Sequence, residues 1–157
     1  MIHATHRRQG RRAVAAVEFA VILPVILTLL LGIWEVGRMI EIQQILYNAA
    51  REGGRQASTG QLTNAQVQTV VTQYLQTAGV PTTHVVVTVK DLDTPANDVS
   101  AANYLDRLQI TATIPIADIR WSVISLVTTP GQLMISQVQW LTMVDKPYPS
   151  FPTPPAG

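Results

Sequence analysis

The chain has 157 residues, 47% of them hydrophobic and 13% charged, with a formal net charge of +1 and no cysteine. That length suits one membrane helix and one small domain of roughly a hundred residues, and the missing cysteine excludes disulfides and thiolate metal sites. The basic excess gathers at the N-terminus, which suits membrane topology rather than nucleic-acid binding, where a folded domain needs a basic face.

An apolar run extends from Ala13 to Trp34, interrupted among polar residues only by Glu18 and Thr28. At about 1.5 Å per residue its helix is about 33 Å long, matching a hydrocarbon core of roughly 30 Å. A cleaved secretory signal has a shorter apolar region and a small-residue exit. Here Leu29, Leu30, Leu31, Gly32, Ile33 and Trp34 lead directly into amphipathic sequence, so a retained anchor is expected. Arg7, Arg8, Arg11 and Arg12 precede the run with no acid nearby, whereas Glu35, Arg38 and Glu41 follow it. The positive-inside rule then places the N-terminus in the cytoplasm and the rest across the membrane, with Trp34 at the interface. Glu18 is the outlier, because an acid at the bilayer centre costs about 2.5–3.5 kcal/mol and is by default a functional residue seeking a partner. The plainer reading is an acid near the interface, solvated by headgroups or by Arg11 and Arg12. Pro24 is expected to kink or loosen the helix, with Thr28 near enough to satisfy backbone groups.

Ile40, Ile42, Ile45, Leu46, Ala49, Ala50 and Ala57 continue the helical spacing among polar residues to about Thr59, where Gly60 stops it. Ala49, Gly53 and Ala57 form a small-residue stripe, with Ala50 and Gly54 beside it. Another element can approach the backbone there, either this protein's own domain or another subunit. A second helix is expected over residues 62–78, opened by the Thr63/Gln66 capping-box pattern and closed by Gly79 and Pro81. Strands follow at His84 to Lys90, at Leu108 to Ile114 and at about Leu133 to Val144, the first two joined as an antiparallel hairpin. Between the second and third, Ile116, Ile119, Val123 and Leu126 suggest a short amphipathic helix or apolar loop. The resulting class is α+β, with a long N-terminal transmembrane and amphipathic helix, a second helix and a small antiparallel sheet of about three strands. Its expected divisions are a basic cytoplasmic leader (1–13), a transmembrane helix (14–34), an amphipathic extension (35–60), a periplasmic α+β domain (61–144) and a Pro-rich tail (145–157). The tail holds Pro147, Pro149, Pro152, Pro154 and Pro155 with Tyr148 and Phe151, which favours extended chain, either plain tail or docking peptide.

Catalysis finds little support. His84 is the one histidine outside the leader and is expected on a strand face, without a nucleophile or metal-ligand spacing. Asp91, Asp93 and Asp98 share a loop but lack the EF-hand spacing, so a solvated turn is expected there. No cofactor is expected.

Ala-Val-Ala-Ala-Val-Glu-Phe-Ala-Val-Ile-Leu-Pro at 13–24, Gly-Ile-Trp-Glu-Val-Gly-Arg at 32–38 and Asn-Ala-Ala-Arg-Glu-Gly-Gly-Arg-Gln-Ala at 48–57 resemble the hallmark segment of TadE-like proteins of the tight-adherence pilus system. The resemblance is specific over about residues 10–60 and holds only in outline beyond. It implies a pilin-like, single-pass inner-membrane pseudopilin or minor pilin that assists assembly of Flp-type pili and is not itself an enzyme. The partners it implies are a prepilin peptidase, other pilins or pseudopilins, the inner-membrane assembly platform and the lipid bilayer. Prepilin peptidases of this type usually cut after a small residue, commonly Gly, leaving Glu as the fifth mature residue. Cutting between Ala13 and Val14 makes Glu18 fifth, whereas cutting between Gly10 and Arg11 makes it eighth. Without cleavage the protein is a plain bitopic anchor. The competing reading from another class is a membrane-tethered periplasmic binding domain unrelated to pili.

Overall fold

The computed structural model describes residues 4–95, 98–119 and 131–144, with residues 4–12 as helix backbone. Helix α1 runs unbroken from Ala4 to Ala57 and helix α2 from Asn64 to Thr77. Strands β1 (Val86–Asp91), β2 (Arg107–Pro115) and β3 (Leu133–Leu141) form one antiparallel sheet in the order β1-β2-β3. A 3-10 turn at Val99–Ala101 lies in the β1–β2 connection, and a single helical turn, α3 (Ile116–Ile119), follows β2. The α+β class and three-stranded antiparallel sheet expected from the sequence are present.

Each boundary has a local cause. In α2 the Thr63 hydroxyl accepts from Gln66 N–H, while Gln66 Oε1 accepts from Thr63 N–H at 2.8 Å, the reciprocal capping box. Gly60 and Gly79 end α1 and α2 with φ of +67° and +75°, a conformation glycine adopts without steric cost. Strand β1 starts two residues later than the alternation suggested, and His84 lies in the preceding turn rather than on a strand face. Its imidazole Nδ1 instead pairs with Asp118 Oδ2 of α3 at 2.9 Å. Strand β3 stops at Leu141, short of the expected Val144; beyond it Thr142 N–H still donates to Asp106 O and its hydroxyl to Asn103 O, and Met143 N–H then leaves β2 to donate to Ser58 O at the end of α1. Residues 120–127 of the expected amphipathic segment, and the Pro-rich tail, lie outside the described residues.

The strand register sorts side chains into two faces. Val89, Ile110 and Val138 share one row, with Val87, Ala112 and Ser136 and then Ile114 and Met134 beside it, and these face the helices. Thr88, Thr111 and Gln137, then Lys90, Gln109 and Gln139, make the opposite face. The core closes with Ile42 and Leu46 from α1 and Val67, Val71 and Leu75 from α2, all fully buried. Helix α1 runs along β3, from Gln43, whose Nε2 donates to Ile135 O at 3.1 Å, to Gly54 beneath Trp140.

Of the loop aspartates, Asp93 is solvent-exposed as expected, whereas Asp91 is buried and Asp98 half-buried, and all three act as structural clasps. Asp91 is 1% exposed and accepts from Asp93 N–H, Thr94 N–H and the Thr94 hydroxyl, closing the hairpin connection on itself. Asp98 accepts from Ser100 N–H and from Asn64 N–H at the start of α2, tying that connection to the helix. Asp93 holds Arg107 at 2.7 Å. Burial in such networks requires satisfied oxygens, and these carboxylates are satisfied by neighbouring N–H and O–H groups.

Candidate functional site

The two halves of α1 have opposite environments. Its most apolar 18-residue window has a mean hydropathy of 2.6, and none of it is buried. Val14, Val17, Phe19, Val21, Val25 and Leu29 point outward all around this arm, which is the pattern of a helix made to be surrounded by apolar material. From Glu35 onward the helix joins the domain: Glu35 is 5% exposed, and Ile42, Leu46, Ala49, Ala50 and Ala57 are fully buried.

On the arm, Ala13 and Val14 are helical and exposed, and Gly10 and Arg11 lie on the helix backbone before them. Glu18 sits one turn beyond Val14, exposed, with no hydrogen-bond or ion-pair partner among the described residues. Pro24 is accommodated within the continuous helix, and the Thr28 hydroxyl donates to Pro24 O at 2.8 Å. This bond satisfies the hydroxyl itself, as a helix surrounded by apolar material would require. The carbonyl that Pro24 deprives of a donor is that of Ala20, so Thr28 does not replace the lost bond.

On the buried half, Ala49, Gly53 and Ala57 lie against this protein's own α2 and sheet. A Cβ built on Gly53 would stand 2.5 Å from Val71 Cγ2 and 3.5 Å from Val67 Cγ1, with Ile110 Cγ2 at 3.7 Å. Gly54 has a different reason: a Cβ there would fall on the indole ring of Trp140. The sequence signalled the first contact through its four-residue spacing, whereas the second needed knowledge of where Trp140 of β3 comes to rest. Arg51 lies over the Tyr47 ring at 5.6 Å on the outward face, and Arg55 pairs with Glu52 at 2.6 Å. The Arg55 guanidinium, then Gln56, hold the Glu52 carboxyl below its ordinary range.

Nothing in the described residues resembles a metal centre, since no group of three or more His, Asp or Glu is placed to hold an ion. Glu35 was not singled out from the sequence, because an acid one residue past an apolar run reads as solvated, and only the packing shows it buried.

Residues 13–55 match the model of a family described as TadE-like protein. The comparisons with curated proteins and with solved structures give no match. The matched stretch lies wholly within α1, ending two residues before its last, and takes in both the bare arm and the buried half. Over this helix, and there alone, the chain is similar to TadE-like proteins.

Proposed function

We propose that the protein is a pseudopilin or minor pilin that assists assembly of a Flp-type pilus by protein–protein contact through α1. The observation that carries this reading is the single helix matched by the family, whose apolar arm stands free of the domain while its other half forms the core's spine. In this reading the arm crosses the inner membrane, the N-terminus is cytoplasmic and the domain periplasmic. A prepilin peptidase removes residues 1–13, so that Val14 carries the new α-amino group and Glu18 becomes fifth. A carboxylate in lipid needs a cation to offset its desolvation, and the amino group of a neighbouring pilin or pseudopilin supplies one. In the first turns of the shortened helix its negative charge also complements the helix dipole. Glu18 thus sets the axial register between subunits, and the assembly platform receives the subunit in that register.

The test is Glu18→Gln, nearly isosteric but uncharged. The variant inserts and its domain folds as before, while surface pili and cross-links to partner subunits fall at matched protein level. Normal piliation removes the registry role of Glu18.

A further inference from the structure

Where the arm meets the domain, a groove of about 730 Å³ opens between α1 and the Gly79–Pro81 turn after α2. Trp34, Gly37, Arg38 and Glu41 line it from α1, and Asp118 and Ile119 from α3. Its depth relative to a bilayer follows from the helix. With Trp34 at the interface, Arg38 lies four residues, or about 6 Å, further along the axis. That distance is inside the headgroup layer, about 5–7 Å thick on each side. The Cα of Glu41, seven residues or about 10.5 Å along, lies beyond that layer, but its carboxylate reaches back to Arg38 Nη1 at 2.9 Å.

The chemistry of the lining is mixed in sign. Arg38 offers a planar guanidinium, which suits a phosphate. Glu41 and Asp118 offer carboxylates nearby. In the structure Arg38 Nη1 donates to Glu41 Oε2 at 2.9 Å and Asp118 faces His84 Nδ1, but the side chains of Arg38, Glu41 and His84 are more than a third exposed and can turn toward a ligand. Ile119 and Trp34 add apolar surface. A second observation concerns Gly37. Gly53 and Gly54 are explained by Val71 and Trp140, but a Cβ on Gly37 would meet nothing within 4 Å. Gly37 lines the groove with room for a methyl to spare, so only a large side chain there would fill it.

We propose that this groove binds the headgroup of a zwitterionic phospholipid carrying a primary ammonium, with the phosphate at Arg38 and the ammonium at the carboxylates of Glu41 and Asp118. An ammonium with N–H donors satisfies two carboxylates by hydrogen bonds, whereas a quaternary ammonium would call for an aromatic cage. The inference rests on the proposed membrane span. A bound lipid here fixes the domain against the bilayer surface beside the arm.

The experiment uses the full chain in phosphatidylcholine vesicles doped with one of three photoactivatable lipids. All carry the reactive group at the carboxyl end of one acyl chain and differ only in a phosphoethanolamine, phosphocholine or phosphoglycerol headgroup. The phosphoethanolamine probe labels residues 34–41 and 115–119 at least fivefold more than either other. Gly37→Trp, which fills the groove, removes that excess with the circular dichroism unchanged, while Gly37→Ala retains it. Equal labelling by all three probes, or an excess that survives Gly37→Trp, overturns the proposal. Disulfide-linked dimers of Gly37→Cys with no headgroup preference assign the groove to a second copy instead. Protein that co-floats with vesicles but labels equally loses the groove alone, whereas protein that does not co-float loses the membrane span and the groove together.

Discussion

Identical substitutions at Gly37 and Gly53 should shift stability in opposite directions. Replacing a helix-interior glycine by alanine favours the helix by about 1 kcal/mol. At Gly37 the added methyl meets nothing within 4 Å, so Gly37→Ala raises stability by up to that amount. At Gly53 the same carbon would stand 2.5 Å from Val71 Cγ2, in a core where Val67, Val71 and Ile110 are all fully buried. Overpacking of this kind costs about 1–3 kcal/mol, and subtracting the helix gain leaves a net loss of about 0–2 kcal/mol. The two variants therefore differ by about 1–3 kcal/mol although their chemistry is the same. Since 1 kcal/mol moves the midpoint of a domain of this size by about 4–8 °C, thermal unfolding of the full chain in detergent, followed by near-ultraviolet circular dichroism, resolves the difference. Gly53→Ala at least as stable as Gly37→Ala would refute the close approach of α2 to the spine. A third variant, Gly54→Ala, tests a separate contact, because its methyl displaces the Trp140 indole and should change the tryptophan signal directly.

Thr63→Ala removes the capping box of α2 and should cost about 1 kcal/mol, read as a lower midpoint in the same assay, whereas Thr63→Ser should cost little. Leu105 holds a φ of +64° in the turn before β2 while its side chain is half exposed, so Leu105→Asn should stabilise by roughly 0.5–1 kcal/mol; a loss would show that the leucine side chain has a packing role. Asp93, held down chiefly by Arg107, and Asp98, held down chiefly by Ser100 N–H, have folded pKa values below their unfolded ones. The stability they contribute is fully present above the unfolded value and is lost as pH falls through the folded one, so the midpoint should decline below about pH 4 and decline less in Asp93→Asn. Co-expression with the cognate peptidase should shorten the chain by residues 1–13, and an unchanged intact mass would remove both the Ala13–Val14 site and the processed form.

Legibility followed the range of the interaction. The capping box, the stops at Gly60 and Gly79, the apolar stripe of α2 and the alternation of β2 depend on neighbours within a few residues, and all could be read directly. The loop aspartates could not. Asp98 reaches back to Asn64 N–H, and Asp91 is buried by a hairpin whose closure no local pattern records. His84 followed the strand alternation but sits before the strand, where Asp118, far along the chain, holds it. For the arm, the residues that matter to the proposed assembly were visible because a charge in an apolar run stands out in any single sequence. The groove was not visible, since Arg38, Glu41 and Asp118 converge only after α2 and the sheet have packed on the helix.

The matched segment explains why one helix must satisfy two unrelated constraints. Between Ala13 and Trp34 its surface is apolar on nearly every side, as the proposed membrane span requires. Between Ile42 and Ala57 its inner surface has to be small, because Val71, Ile110 and Trp140 come close to its backbone. No break separates the two stretches, so a rotation of the arm is a rotation of the spine, and the sheet turns with it. Rotational phase is therefore shared between the face that carries Glu18 and the face that carries the domain. The rest of the chain is under a looser constraint: α2 and the strands need only present an apolar face that fits a narrow helix.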